Sequence, residues 1–273
     1  MTQGSLYLGY RPGDLRDSPL AGYFRPDMAP LSPHAQEAVL VGGQAPELFP
    51  DLSAAPTLLE PGYWPMETGY TVCPDGSARI FALTPMPGVK PAMWDWWFGW
   101  HGDEALKYKL WHPRAHVHAA WADGEGDLGR YVGRTSRVVE YVGASRLDLT
   151  IRFVSPASLG LDEARLAAQG EVAICARGGL AGAPVETGWL IHHLRPTADG
   201  CEMRSRFWLG GPYIRPRGMS GPLGAALGAV AAKLSPLPLR DAGDLLVHCA
   251  QEMAHLAAIL PDLHADFGPK PQD

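Results

Sequence analysis

His248 and Glu252 stand four residues apart in DAGDLLVHCAQEMAHLAAIL, positions 241–260. On a helix that spacing projects both side chains from one face with Cβ atoms about 5–6 Å apart, the bite of a metal-ligand pair. Four further imidazoles, His101, His112, His116 and His118, lie far upstream in MWDWWFGWHGDEALKYKLWHPRAHVHAAW, positions 93–121. That stretch is crowded with large rings, each carrying roughly 150–250 Å² of surface to bury. It must therefore be core or cavity wall, and its histidines are either hydrogen-bonded core groups or part of a site.

The elements that would position these groups can be read from periodicity. Leu246, Cys249, Met253, Leu256, Ala257 and Leu260 form an apolar stripe on a long helix from Asp241 to Leu260, and His248, Glu252 and His255 form a second stripe beside it. A polar stripe is ordinarily a solvated face, but no Lys or Arg occurs between Asp241 and Lys270. In the aromatic segment Trp94, Trp97 and Phe98, with Leu106 and Leu110 further on, fit helical spacing, and Pro113 makes 111–116 a helix end or a turn. Between the two lie alternating runs. Positions 130–156 predict two antiparallel strands joined near Gly143, with Glu140 in the first, and positions 170–177 and 185–195 predict two more. A hairpin turning at 197–200 follows, and another spans 69–84 around Pro74, Asp75 and Gly76. Short helices are expected at His34–Val39, Leu161–Ala168 and Leu223–Lys233.

Residues 1–68 are rich in Pro and Gly without sustained period and predict an extended arm packed on the body, 69–273. The body is expected to be α+β, a curved antiparallel sheet wrapped on a long C-terminal helix and enclosing a ligand-sized cavity. With 273 residues, 46% of them hydrophobic, the chain can bury a sizeable core. A net charge of -6 without a basic cluster argues against a nucleic-acid or anionic-membrane partner. The absence of a leader pattern and of a spanning apolar run predicts a cytoplasmic protein. Cys73, Cys175, Cys201 and Cys249 are scattered, as expected of free and mostly buried thiols.

Three blocks in order, WWFGWH…YKLWHPRAH, HHLRPT…G…MRSRFW and the closing H-x-x-x-E helix, resemble the zinc-dependent hydrolases that cleave a C–C bond in 2,4-diacetylphloroglucinol and phloretin. The resemblance covers roughly 69–260. It implies a Bet v 1-like, helix-grip body and a Zn2+ held by two His and two Glu, which by position are His116, Glu140, His248 and Glu252. His112 is the rival to His116, and Glu125 or Glu171 could stand in for Glu140. It also implies that Tyr108 hydrogen-bonds an oxygen of a small aromatic substrate and that His192 shuttles a proton. Adjacent strand residues face opposite ways, so only one of His192 and His193 can face the cavity. Trp97 is expected on the substrate wall.

Two departures bear on specificity. Ala119 stands where the family has an Asn, and Phe207 stands where it has a second Tyr, with Tyr213 the nearest alternative. Both remove hydrogen bonds to ring hydroxyls, so the substrate is expected to carry fewer hydroxyls or to have them held differently. The implied reaction is hydrolysis of an acylphenol to a phenol and a carboxylic acid. A metal-dependent retro-aldol lyase and a non-catalytic carrier of hydrophobic ligands are the alternatives, and the Pro-rich arm is consistent with a homodimer.

Overall fold

The structure is a computed structural model that describes residues 9–270 except 12, 124–129, 220 and 235–236. The N-terminal region carries helix α1, Pro33–Val41, whose first turn is capped by Ser32, and a 3-10 helix, Leu52–Leu59. Strands β1, Gly69–Val72, and β2, Ser77–Pro87, form the first hairpin. Helices α2, Pro91–Trp100, and α3, Ala105–Trp111, follow, the first opened by a proline at a position with no N–H to lose.

Strand β3, His116–Trp121, then pairs with β4, Thr135–Val142, and β4 with β5, Ser145–Val154. Gly143 turns the β4–β5 hairpin with φ of 58°, a conformation that a side chain disfavours. Helix α4, Glu163–Gln169, leads to β6, Val172–Leu180, β7, Val185–Pro196, and β8, Gly200–Gly210. The short β9, Arg215–Pro216, pairs with β7. Three helices complete the chain: α5, Gly221–Leu234, α6, Leu239–Ala257, and α7, Leu260–Phe267. Among the described residues no helix is long and apolar enough to cross a membrane.

The strands form one antiparallel sheet in the order β1-β2-β8-β7-β6-β5-β4-β3, with β9 on β7. Its concave face closes over α6 and the aromatic helices, giving the curved-sheet, helix-grip arrangement expected. Leu246, Cys249, Met253 and Leu256 of α6 are buried there with Trp94, Trp97 and Phe98 of α2. Strand β3 was not among the expected strands, because the turn signal at Pro113 masks its start. The long helix expected over Asp241 to Leu260 is α6, and a further helix, α7, follows it after a break. Pro261 cannot donate to the turn before it, and its ring clashes with a continuing helix, so α6 stops at Ala257 and α7 begins at Leu260.

The convex face is covered as well. Phe49, Ala55, Leu58 and Leu59 pack against Phe81, Cys175, Ile191 and Trp208. Beneath this layer Glu67 is clamped by two buried arginines of β8, Arg204 at 2.6 Å and Arg206, while Arg204 also donates to the Leu58 carbonyl at 3.1 Å. All four cysteines are free and buried.

The arginine partners hold the Glu67 carboxyl below its ordinary value of 4.5 against the cost of burial. A depressed folded value stabilises the protein above the unfolded value and is lost as pH falls. Glu67→Gln should cost about 3–5 kcal/mol at pH 7, because two buried guanidinium groups lose their counter-charge. Urea unfolding should show this gap narrowing as the pH is taken below 4.5, and an unchanged stability at pH 7 would dismiss the clamp.

Candidate metal centre

Three of the polar groups singled out in the sequence converge at one point. His116 opens β3, immediately after the Pro113 turn, and a bulge between His116 and His118 shifts the register so that His116 lies directly opposite Glu140 of β4. Cross-strand partners share a sheet face, so both side chains turn inward, while His118 is exposed. Bulges recur beside functional sites because they re-aim a side chain in this way. From the other side α6 presents His248 and Glu252 one turn apart. Candidate ligand atoms of His116, His248 and Glu252 all lie within 4.8 Å of one another, and the three residues are buried.

The distances suit a divalent ion. His116 Nε2 is 3.3 Å from Glu252 Oε2 and 3.7 Å from Glu140 Oε2, and His248 Nε2 is 3.8 and 3.9 Å from the same two oxygens. An ion bound at about 2.0–2.2 Å by a tetrahedral set spaces its ligands about 3.4 Å apart. His116 Nδ1 donates to the Tyr108 carbonyl at 2.9 Å, so its Nε2 carries the lone pair, and that buried atom has no hydrogen-bond partner. A carbonyl can only accept, which fixes the tautomer in the form that binds metal. The Tyr108 ring lies flat on His116, centroids 3.7 Å apart, and its hydroxyl donates to Glu140 Oε2. His248 hydrogen-bonds the Tyr141 backbone.

The electrostatics point the same way. Burial, followed by the nearby Glu140 charge, raises the Glu252 carboxyl well above its ordinary range. Burial, reinforced by His248 and His112, lowers His116 far below the usual imidazole range. Two carboxylates forced together and imidazoles that resist protonation are what a dication would stabilise.

The other candidates are placed elsewhere. His112 stacks on His248 at 4.9 Å, and burial pushes its imidazole down to about 3. It flanks the cluster instead of joining it. Glu171 pairs with His193 at 2.8 Å on the convex side, and Glu125 falls outside the described residues. His255 accepts from the Ala29 amide at 3.3 Å, tying the N-terminal region to α6.

The cluster borders a cavity of about 370 Å³. Its wall is mainly apolar, with Phe98, Trp111, Val138, Leu149, Phe153 and Leu190 among the lining residues, and its polar groups include Tyr108, Glu140, His192, His248 and Glu252. A hollow of this size with few polar groups fits a small organic ligand.

Sequence comparison decides the family. The DAPG hydrolase PhiG domain matches residues 48–265. The chain belongs to the DAPG hydrolase family. It is 34% identical over 274 aligned positions to the 2,4-diacetylphloroglucinol hydrolase of Pseudomonas protegens, covering 93% of this chain and 86% of that protein. It is 31% identical to the phloretin hydrolase of Eubacterium ramulus, covering 89% and 88%. Solved structures with a similar chain path include ginseng major latex-like protein 151 from Panax ginseng and protein Ms6760 from Mycobacterium smegmatis. The first has 11% identity, coverage of 63% of this chain and 97% of that one, and a TM-score of 0.34. The second has 13% identity, coverage of 72% and 99%, and a TM-score of 0.40.

Within this DAPG hydrolase family member the strand period separates the two neighbouring histidines. His192 faces the cavity, its Nδ1 at 2.8 Å from Ser205 Oγ, and burial holds its imidazole at about 3. His193 faces the convex layer. Phe207 lines the cavity beside His192, whereas Tyr213 donates to Asp51 at 2.6 Å outside it. Trp97 and Ala119 are not among the lining residues. Trp97 is fully buried behind the lining residues His101 and Trp111, and Ala119 is buried in the core opposite the lining residue Val138. His101 also lines the cavity, and in the sequence only its place in the Trp-rich block pointed to it.

Zn2+ added to chelator-treated protein should raise its melting temperature, by the equivalent of about 2.7 kcal/mol at a hundredfold excess over Kd. His248→Ala and Glu252→Ala should be insensitive to the ion and retain none on elemental analysis. Full retention by both variants would remove the centre.

Proposed function

We propose that this protein is a zinc-dependent hydrolase that cleaves the C–C bond between a phenolic ring and its acyl group, releasing a phenol and a carboxylic acid. The observation that carries the reading is the buried His116, His248 and Glu252 cluster at the wall of an apolar, ring-sized cavity. Family membership gives it direction, since relatives at 34% and 31% identity are named for 2,4-diacetylphloroglucinol and phloretin.

His116, Glu140, His248 and Glu252 would hold the ion. When bound, zinc supplies Lewis acidity, which polarises a carbonyl and lowers the pKa of water. The protein's own groups do the rest. Tyr108 holds the Glu140 carboxylate and braces the His116 ring. Phe98, Phe153, Leu190 and Phe207 would hold the aromatic ring and exclude water from it.

His192, held at Nδ1 by Ser205, has its other ring nitrogen available to relay the proton that the attacking water gives up, directly or through a second water, to the ring carbon bearing the acyl group. Protonation there suspends aromaticity and turns that carbon into a leaving group. Water adds to the acyl carbonyl, the C–C bond breaks toward the protonated ring, and aromaticity returns in the released phenol. Electron-releasing ring hydroxyls are required, because without them the ring carbon is too weak a base.

Turnover of an acylphenol in H2(18)O should place the label in the carboxylic acid. Unlabelled products would favour a retro-aldol lyase, and a ligand recovered intact would favour a carrier. His192→Gln should lower kcat by roughly 10²–10⁴-fold with metal content unchanged, as expected for loss of a proton-transfer group.

A further inference from the structure

His101 lines the same cavity and takes no part in the metal cluster or in the proton transfer assigned to His192. It closes α2, and its Nδ1 lies 2.9 Å from the Trp97 carbonyl. A carbonyl only accepts, so Nδ1 carries the proton and Nε2 is left with a lone pair. Among the described residues no protein group hydrogen-bonds that Nε2. The ring cannot swing away. It is stacked on Trp97 at 5.2 Å and 8° and held edgewise by Phe98 at 5.6 Å and Trp111 at 5.4 Å. Tyr108 lies on one side at 6.1 Å, and across Phe98 stands His192, 6.0 Å from that ring.

We propose that His101 is a specificity-determining residue whose Nε2 accepts a hydrogen bond from one ring hydroxyl of the phenolic substrate. The inference deepens the acylphenol reading and rests on it. A rigid, desolvated acceptor in an otherwise apolar wall discriminates strongly between a ring that carries the matching hydroxyl and one that lacks it. Burial holds the imidazole at about 4, so it accepts the hydrogen bond without taking the proton. The hydroxyl then releases more electron density into the ring, which makes the acyl-bearing carbon more basic. This acceptor also answers the two departures from the family. Ala119 and Phe207 offer no side-chain hydrogen bond, and His101 holds a hydroxyl from a different wall.

The test uses three probes, 2,4,6-trihydroxyacetophenone and its 2,4- and 2,6-dihydroxy congeners, with the full-length zinc-loaded protein. Affinity is read by calorimetry alongside turnover. His101→Phe keeps a ring and removes the acceptor. It should weaken the trihydroxy probe by about 10-fold, one hydrogen bond's worth, and leave the congener that lacks the engaged hydroxyl within about 2-fold. Equal weakening of all three, or of none, would overturn the proposal.

A measurement on the unmodified protein covers the case in which that variant does not fold. The imidazole nitrogen spectrum of His101 should report an unprotonated Nε2 that shifts when the trihydroxy probe binds. A protonated Nε2, or one blind to the probe, would overturn the assignment. Selective binding without turnover would uphold His101 and overturn the reaction. No binding of any probe to wild-type protein would overturn both.

Discussion

Two carboxylates and two imidazoles share one pocket of low polarity, and the architecture has to accommodate that concentration of charge. Glu140 and Glu252 both approach within 4 Å of His116 Nε2. Among the described residues no lysine or arginine forms an ion pair with either carboxylate, and α6 carries none after Arg240. A pair of anions desolvated together is costly unless a cation or a proton stands between them. The surrounding rings of Tyr108 and His112, stacked on His116 and His248, keep water out and fix the imidazole planes. The site therefore gains rigidity from aromatic packing and carries an electrostatic demand that a divalent ion would satisfy.

The two-sidedness of the sheet makes this possible. In β8, Arg204, Arg206 and Trp208 face the convex layer, while Met203, Ser205 and Phe207 face the helices. The N-terminal residues that cover the convex side supply Glu67 for the arginines and the Pro50 carbonyl for Trp208, at 3.0 Å. The two arginines of the outer face are thus paired with a carboxylate without reaching the cavity. The inner face of β8 is free to carry the Ser205 hydroxyl, whose bond to His192 orients the imidazole that the proposed reaction uses.

The chemistry inside the hollow is divided by position. One end holds the acidic and imidazole cluster, and beyond it the wall is built from Phe98, Phe153, Leu190 and Phe207, interrupted by His101 and His192. Both histidines are kept neutral by burial and each has one ring nitrogen committed to a fixed partner, Trp97 in one case and Ser205 in the other. An aromatic ligand would thus meet an apolar slot with few polar contacts of defined direction.

Local pattern alone determined a good deal. The i, i+4 relation of His248 and Glu252, the period-2 strands around Gly143 and Thr197, and the ring-dense segment are near-neighbour properties, legible because a helix or strand repeats every few residues. The family blocks added the pairing of distant segments. What local pattern could not supply was anything that depends on how those segments meet. The bulge at His116 and the assignment of His192 to the cavity and His193 to Glu171 are set by sheet register, and the burial of Trp97 behind His101 is set by how the aromatic helices pack. His101 belongs to the same class: its identity was visible from the start, but its free lone pair exists only because the Trp97 carbonyl, four residues earlier, accepts a hydrogen bond from Nδ1–H and three surrounding rings hold it still.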